Sequence, residues 1–419
     1  MAEDPSIPAV VLGGGITALG TLRSLARRDV EVYCLSGADR LLRWSRYRHT
    51  TEECAYPLYP AEGLYALMER LPFPRAVVFP CGDDLSRALS HLDGSLAERF
   101  PSVQPPREAW AQLTDKEGLA GLLSDLGIPH PTTIPLLSTG DLATIPNSLL
   151  ASGFLKPTDS QAFMREFGRK AFEIPSREEG EARLGKALSR GLGMMFQEYV
   201  PGSADAHYFI DGLVDATAAF PARFARRRLR MYPPRFGNSS LMVSVALEQV
   251  RPAMDSLEIL LREVGYRGIF STEFKFDSRD NTFKLLEVNT RPWWYIGFPD
   301  DCGVPIARMA YEDALERSVA PVDSYRVGVS LVYPYYDFFA SLDLWRRKEL
   351  TLRSWIASWM TARKAVWEWG DPLPAVVCGL KAAWEFLGRR APGRGRRRGA
   401  GRGVGPARAR LRGRGEGRL

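Results

Sequence analysis

The chain has 419 residues, with 56 Lys and Arg against 49 Asp and Glu for a formal charge of +7. At about 150 residues per domain, that length suggests two or three domains and excludes one small module. With 45% hydrophobic and 11% aromatic residues there is enough apolar material for a sizeable core, which excludes wholesale disorder. Five cysteines, none at a CxxC or zinc-finger spacing, and four scattered histidines argue against a disulfide scaffold and a ready-made histidine metal site. The opening MAEDPSIPAVV carries acids where a signal peptide needs bases, and no apolar run approaches the roughly 18 residues of a membrane span. A cytoplasmic chain with reduced thiols is expected.

In chain order, an apolar run at 8–12 leads into GGGITALG, a helix to about Arg28, and a second run, VEVYCL. A third run, AVVFP at 76–80, precedes another helix. Strands alternating with helices predict a parallel sheet, so 1–104 reads as a small α/β domain. After Pro105 and Pro106 the segment LTDKEGLAGLLSDLGIPHP reads as a helix, with Thr114 as N-cap and Glu117 completing a capping box. From about 150 to 320, short strand-like runs (SGFLKP, KAFEIP, MMFQEYV, AHYFID, DATAAFPARFA) alternate with helices, which predicts an α+β arrangement with antiparallel strands. Residues 326–387 are Trp-rich with helical spacing; Trp355 and Trp359, four apart, should face together. Residues 388–419 hold 12 Arg and 10 Gly without an aromatic, and cannot build a core.

The strongest local signal is FSTEFKFDSRDNTFKLLEVNTRPWW, residues 270–294. Two strand-like runs flank DSRDN and predict an antiparallel hairpin. Glu287 and Asn289 are two apart and share a face, and a hairpin with this loop brings Glu273 back as their neighbour. Two carboxylates and an amide oxygen make a hard, all-oxygen site of the kind Mg²⁺ takes beside substrate phosphates, Mn²⁺ being a close substitute. Arg291 would add a fixed positive charge for phosphoryl oxygens. The bland alternative is a solvated sheet face on which Glu273 and Glu287 pair with Lys275 and Lys284.

The E…ExN element followed by TR resembles the metal-binding hairpin of the ATP-grasp superfamily, and other elements stand in that family's order. Lys116 in LTDKEGL, Lys156 in FLKP and Lys170 in RKAFEI resemble its ATP-contacting lysines. QEYVPG resembles the hinge, where Glu198 and the backbone of Tyr199 and Val200 would read adenine, and Asp205 stands where relatives often carry an acid for the ribose. The resemblance covers roughly 1–320 and is similar in detail to predicted carboxylate–amine ligases of that superfamily. It implies a Rossmann-like pre-ATP-grasp domain (1–104), two ATP-grasp subdomains (105–197 and 198–325), a helical extension (326–387) and a disordered tail (388–419). It implies ATP and Mg²⁺ as cofactors, small carboxylate and amine substrates, and an acyl-phosphate route; a homo-oligomer is compatible with it. PTDSQAFMREFGR, between Lys156 and Lys170, departs from the glycine-rich loop of many relatives, leaving Thr158, Asp159 and Ser160 as alternative donors over the γ-phosphate.

The arginines at 223, 226, 227, 228 and 230 suit either carboxylate recognition or a basic surface loop. Arg228 and Arg230 join Arg291 as the candidate catalytic residues, and Arg230→Ala is expected to lose turnover while keeping ATP affinity. Two other classes compete. Gly13, Gly15 and Ala18 form a GxGxxA turn that would suit an NAD(P)-binding dehydrogenase, but Ser36 stands where a ribose-binding acid would end the second strand. A non-catalytic protein could use the basic tail on nucleic acid or another polyanion. The tail carries 12 Arg and one acid, Glu416, so the rest of the chain is net acidic and the bulk charge carries no argument about chemistry.

Overall fold

Three β-sheets organise the chain in this computed structural model, which describes residues 7–36, 39–55, 63–234 and 236–380. The first is parallel and contains β1 (Ala9–Leu12), β2 (Val32–Leu35), β3 (Arg48–His49) and β4 (Val77–Pro80) in the order β3-β2-β1-β4. Every residue of β1 and β4 is buried, as parallel strands covered on both faces require. Between β1 and the helix Gly15–Ala26 the backbone turns through Gly13 and Gly15 at φ 102° and 73°, where a side chain would be strained.

The second sheet is antiparallel and contains β5 (Thr133–Leu136), β6 (Gly153–Pro157), β7 (Phe172–Glu173) and β8 (Met194–Glu198) in the order β5-β8-β6-β7. The third has seven strands. β9 (His207–Val214), β10 (Ala222–Tyr232), β11 (Asn238–Val245), β12 (Gly268–Asp277) and β13 (Thr282–Asn289) are joined at one edge by β14 (Ser330–Val332) and β15 (Arg363–Lys364), in the order β13-β12-β9-β10-β11-β14-β15.

The first and third sheets share one hydrophobic core: Leu19, Leu22 and Phe79 belong to the same cluster as Leu213, Phe224, Ile296 and Phe298. Each fully buried side chain of this size contributes about 1.5–3 kcal/mol, so the N-terminal sheet is a fixed wall of the molecule. Gly20 marks a close approach, since a Cβ there would stand 3.2 Å from Ile296 Cγ2. Residues up to Gly379 form one body.

Several expectations change. The helix begins at Lys116 with Asp115 as its cap, the carboxylate accepting from the Glu117 N–H at 3.2 Å; the Thr114 hydroxyl instead donates back to the Trp110 carbonyl in the preceding helix. DATAAFPARFA is not one strand. Its first half is a turn around Asp215, whose carboxylate accepts from the Thr217 and Ala219 N–H groups, and β10 starts at Ala222. The Trp-rich extension is helical at Pro334–Arg346 and Leu352–Thr361, yet it also supplies β14 and β15, which are too short to leave a periodic signal. The expected disordered tail, 388–419, lies outside the described residues, as does Trp384.

Candidate functional site

The hairpin forms in the expected place. β12 and β13 pair antiparallel with Glu273 opposite Glu287 and Ser271 opposite Asn289, and an irregularity beside Glu273 absorbs one extra residue, Leu286. That extra residue keeps the alternation in phase: Leu285 and Val288 stay in the core while Glu287 and Asn289 share the other face with Glu273. Glu287 is exposed and has no direct hydrogen bond or ion pair among the described residues. Asn289 donates its amide to the Ser271 carbonyl at 3.3 Å, which turns its oxygen outward as an acceptor.

Glu273 has a different environment. Its carboxylate receives the His207 imidazole at 2.7 Å and the Arg228 guanidinium at 3.0 Å. Burial pushes this carboxyl up, but Arg228 and the His207 hydrogen bond outweigh it and hold it well below the usual carboxylate range. Burial lowers His207 to about 4, so near neutral pH the ring is uncharged and donates from Nδ1. The pairing of Glu273 and Glu287 with Lys275 and Lys284 does not occur. Lys284 pairs with Asp277 and Asp280, and Lys275 lies over the Tyr199 ring at 4.4 Å.

The cations approach from the smaller sheet. Lys156 on β6 donates to Gln197 Oε1 at 3.1 Å, and Gln197 is oriented in turn by the Thr133 hydroxyl. Lys116 donates to the Pro157 carbonyl and the Ser160 hydroxyl, both at 2.9 Å. Lys170 reaches across to Asn238 Oδ1 at 2.6 Å, at the start of β11. Burial lowers Lys116 to about 8, with Lys156 adding to the effect and Glu287, Asp159 and Asp83 opposing it. Burial also lowers Lys156, against the pull of Glu287 and Glu273. Arg291 is held at 2.5 Å by Asp83, at the N-terminus of the helix Asp83–Leu89. Glu287 is the acid whose field reaches Lys116, Lys156, Lys170 and Arg291 together. A cleft opens here, lined by Lys116, Lys156, Gln197, Glu287 and Asn289 among others.

The segment 158–168 is a helix, Ser160–Phe167, capped by Asp159, whose carboxylate accepts from the Gln161 and Ala162 N–H groups at 2.9 Å; it is closed by Gly168 at φ 65°. Asp159 is thereby committed to the cap and Thr158 to the Gly193 carbonyl, which leaves the Ser160 hydroxyl beside Lys116. At the hinge, Glu198 is buried; its carboxylate accepts from the Thr132 N–H at 3.2 Å and from Arg279 at 2.6 Å. The Tyr199 N–H donates to the Ser152 carbonyl, Val200 is buried, and Asp205 is held by Arg227 at 2.8 Å.

The two catalytic arginine candidates on β10 part company. Arg228 faces Glu273 and the Ser239 hydroxyl. Arg230 lies beyond a register shift in β10 and makes a two-pronged pair with Asp337 at 2.8 Å, an acid that also accepts from Ser240, Trp355 and Trp359. The expectation that Trp355 and Trp359 face together holds, and the acid they share explains why. Sequence reasoning missed His207, Gln197, Asp83, Arg279 and the buried Arg226–Asp211–Ser271 triangle. A signal for one was present: His207, Phe209 and Asp211 alternate along β9 and lie on the Glu273 face.

No known family profile matches the chain. A D-aspartate ligase from Enterococcus faecium (strain Aus0004) is 23% identical over 331 residues, covering 74% of this chain and 77% of the relative. A carboxyaminoimidazole ribonucleotide synthase from Aspergillus clavatus, complexed with ATP, superposes with a TM-score of 0.58 at 15% identity over 77% of this chain and 80% of its own. The chain has the ATP-grasp fold. Another ATP-grasp structure, the biotin carboxylase domain of the Hydrogenobacter thermophilus 2-oxoglutarate carboxylase with MgADP and bicarbonate, superposes with a TM-score of 0.57 at 16% identity, covering 77% of this chain and 73% of that one. A dinucleotide dehydrogenase is not supported. In the N-terminal turn Asp39 accepts from the Gly15 N–H at 3.0 Å, and a Cβ on Gly14 would meet that carboxylate at 2.5 Å, so an anion already fills the place a pyrophosphate would take.

Proposed function

We propose that this ATP-grasp chain is an ATP-dependent carboxylate–amine ligase working through an acyl phosphate. One observation carries the reading: Glu287, unpaired and exposed beside Asn289 and opposite Glu273, is the common focus of Lys116, Lys156, Lys170 and Arg291. A triphosphate brings about four negative charges, and separate cations plus a divalent ion are what hold one. In this reading the parallel sheet belongs to a Rossmann-like preceding domain (1–104), and the other two sheets belong to the ATP-grasp subdomains (105–197 and 198–325), with β14 and β15 added to the larger one by the extension.

The donor set fits Mg²⁺: an unpaired carboxylate, an outward amide oxygen and a carboxylate kept ionised by Arg228 are hard oxygen ligands. Glu273, Glu287 and Asn289 would hold it, and the ion supplies charge neutralisation at the phosphate oxygens. Lys156 and Lys170 grip the nucleotide phosphates, and Lys116 with Ser160 stands over the outer end. Tyr199 and Val200 offer backbone edges to adenine, while Asp205 faces the ribose hydroxyls. The substrate carboxylate attacks the γ-phosphorus and ADP leaves; the amine then attacks the acyl carbon and phosphate departs. Arg291 and Arg228 stabilise the charge that develops on the transferred group. No side-chain nucleophile is required.

The test is substrate-dependent release of ADP and phosphate across amino acids and other carboxylates paired with amines. The relative's name puts D-aspartate first in that panel. Release of ADP that depends on both a carboxylate and an amine is expected; ATP hydrolysis indifferent to every carboxylate would overturn the reading.

A further inference from the structure

An ionised side chain taken out of water is costly unless an opposite charge compensates it, so buried charges are informative when sorted by their partners. Among the described residues, every buried Asp, Glu and Arg has an ion-pair partner, as in Arg23–Asp371, Arg226–Asp211 and Arg230–Asp337. Lys275 on β12 is the exception. It is 3% exposed, yet no hydrogen bond or ion pair reaches its ammonium among the described residues. The acids beside it are already committed: Glu273 to His207 and Arg228, and Asp277 to Arg279 and Lys284. Its stem is held at the hinge, where a Cβ on Gly202 would stand 3.7 Å from Cε, and Nζ lies 4.4 Å from the Tyr199 ring centroid. That ring attracts the cation but leaves its N–H donors without an oxygen acceptor.

Position indicates what the acceptor is. Ser271, Glu273, Lys275 and Asp277 alternate onto one face of β12. Ser271 lies opposite Asn289 at the metal end, and Asp277 is tied through Arg279 to Glu198 at the hinge. Lys275 therefore stands on the hinge side of Glu273, away from the end where the γ-phosphate would meet a substrate carboxylate. A nucleotide with its base at the hinge and its outer phosphates at the metal passes Lys275 with its ribose and α-phosphate. Of these the α-phosphate carries the charge that an uncompensated ammonium lacks. We propose that Lys275 is a nucleotide-contacting residue whose ammonium donates to the α-phosphate. The inference rests on the nucleotide placement of the ligase reading. A buried cation kept without a partner burdens the empty protein, and such charges gather where a ligand completes them.

Competition binding of MgATP, AMP and adenosine to the full chain and to Lys275→Met tests it. Methionine keeps the length of the stem and removes the ammonium. The variant should bind ATP and AMP about tenfold or more weakly, the scale of a charge-assisted hydrogen bond, and adenosine as the parent does. Without nucleotide its thermal midpoint should equal or exceed the parent's, because an uncompensated buried charge has gone. AMP is the informative ligand, since it lacks the outer phosphates that Lys116, Lys156, Lys170 and the metal would hold. The proposal fails if Lys275→Met binds ATP and AMP like the parent; substrate-dependent ADP release by the parent would then leave the ligase reading standing. It fails if adenosine weakens as much as AMP, because Lys275 would then only brace the hinge. A parent that binds no nucleotide removes both the proposal and the ligase reading.

Discussion

The hairpin β12–β13 and the strand β10, which β9 separates in the same sheet, both place charged residues at alternate positions, yet they settle those charges differently. On β10, Arg226 is 2% exposed and locked to a fully buried Asp211, and Arg230 is locked to an equally buried Asp337. On β13, Glu287 is exposed with no direct partner while four cations feel its charge. Paired buried charge mainly holds a structure in register, and breaking such a pair is costly. Charge left unpaired in a cleft full of opposite charge is available to a ligand. Arg228, bridging to Glu273, is the seam between the two regimes.

The largest effect should come from Glu287→Gln. This change removes the focus of the site without removing any contact, so ADP formation should fall by about a thousandfold or more, the scale of losing a main electrostatic group. Stability should stay within about 0.5 kcal/mol, as for surface changes. Steady-state ADP release together with urea unfolding measures both. Retained turnover would break the contrast at its centre.

Arg230→Ala comes next and now carries a different expectation. It leaves Asp337 buried without its guanidinium, a loss of about 3–5 kcal/mol, nearer the lower figure because Trp355, Trp359 and Ser240 still donate to the acid. Arg230→Lys should fall in between, since an ammonium cannot reproduce the two-pronged contact. Denaturant midpoints measure this. A variant of unchanged stability that has lost turnover would return Arg230 to the catalytic group.

The hairpin and its shared face were legible because each rests on local period-two alternation, in STEFKF and LLEVN, whereas the lysines were singled out by the family resemblance and not by any local pattern. What was not legible depends on partners far away in the chain. Arg230 and Asp337 are 107 residues apart, and Arg23 reaches Asp371 across 348; no periodicity links such positions. The Ser160–Phe167 helix was missed because an absence of glycine was read as an altered loop, whereas Asp159 and Gly168 were its cap and its stop.

A smaller effect concerns protons. Lys116 sits near 8 against an ordinary 10.5. Between those values the unfolded chain binds more protons than the folded one, so stability should rise as pH goes from about 8 to about 10.5 and change little from this group below 8. Nucleotide phosphates would draw the proton back, so ATP binding should take up protons near pH 8 and weaken above it. Calorimetric titration in two buffers of different ionisation heat measures the uptake, and Lys116→Met should remove part of it. Lys275, also lowered to about 8 by burial and by Arg228, accounts for a remainder.

The smallest expected effect lies outside the cleft, at the other place where the sequence offers phosphate chemistry. Asp39 caps the helix Arg40–Arg43 through the Leu41 and Leu42 N–H groups and also takes the Gly15 N–H, so Asp39→Ala should cost only about 1 kcal/mol. Its value is as a control on the contrast between compensated and free charge. A glycine turn whose donor already has a carboxylate should ignore NAD and NADP, and neither should raise the thermal midpoint of the parent chain. If Asp39→Ala acquires weak affinity for a simple anion such as phosphate, with catalysis untouched, then the same rule that singles out Glu287 also explains why the N-terminal turn is silent. A dinucleotide that stabilises the parent would instead mean that a paired charge can still yield to a ligand, and the rule would lose its force at Arg226 as well.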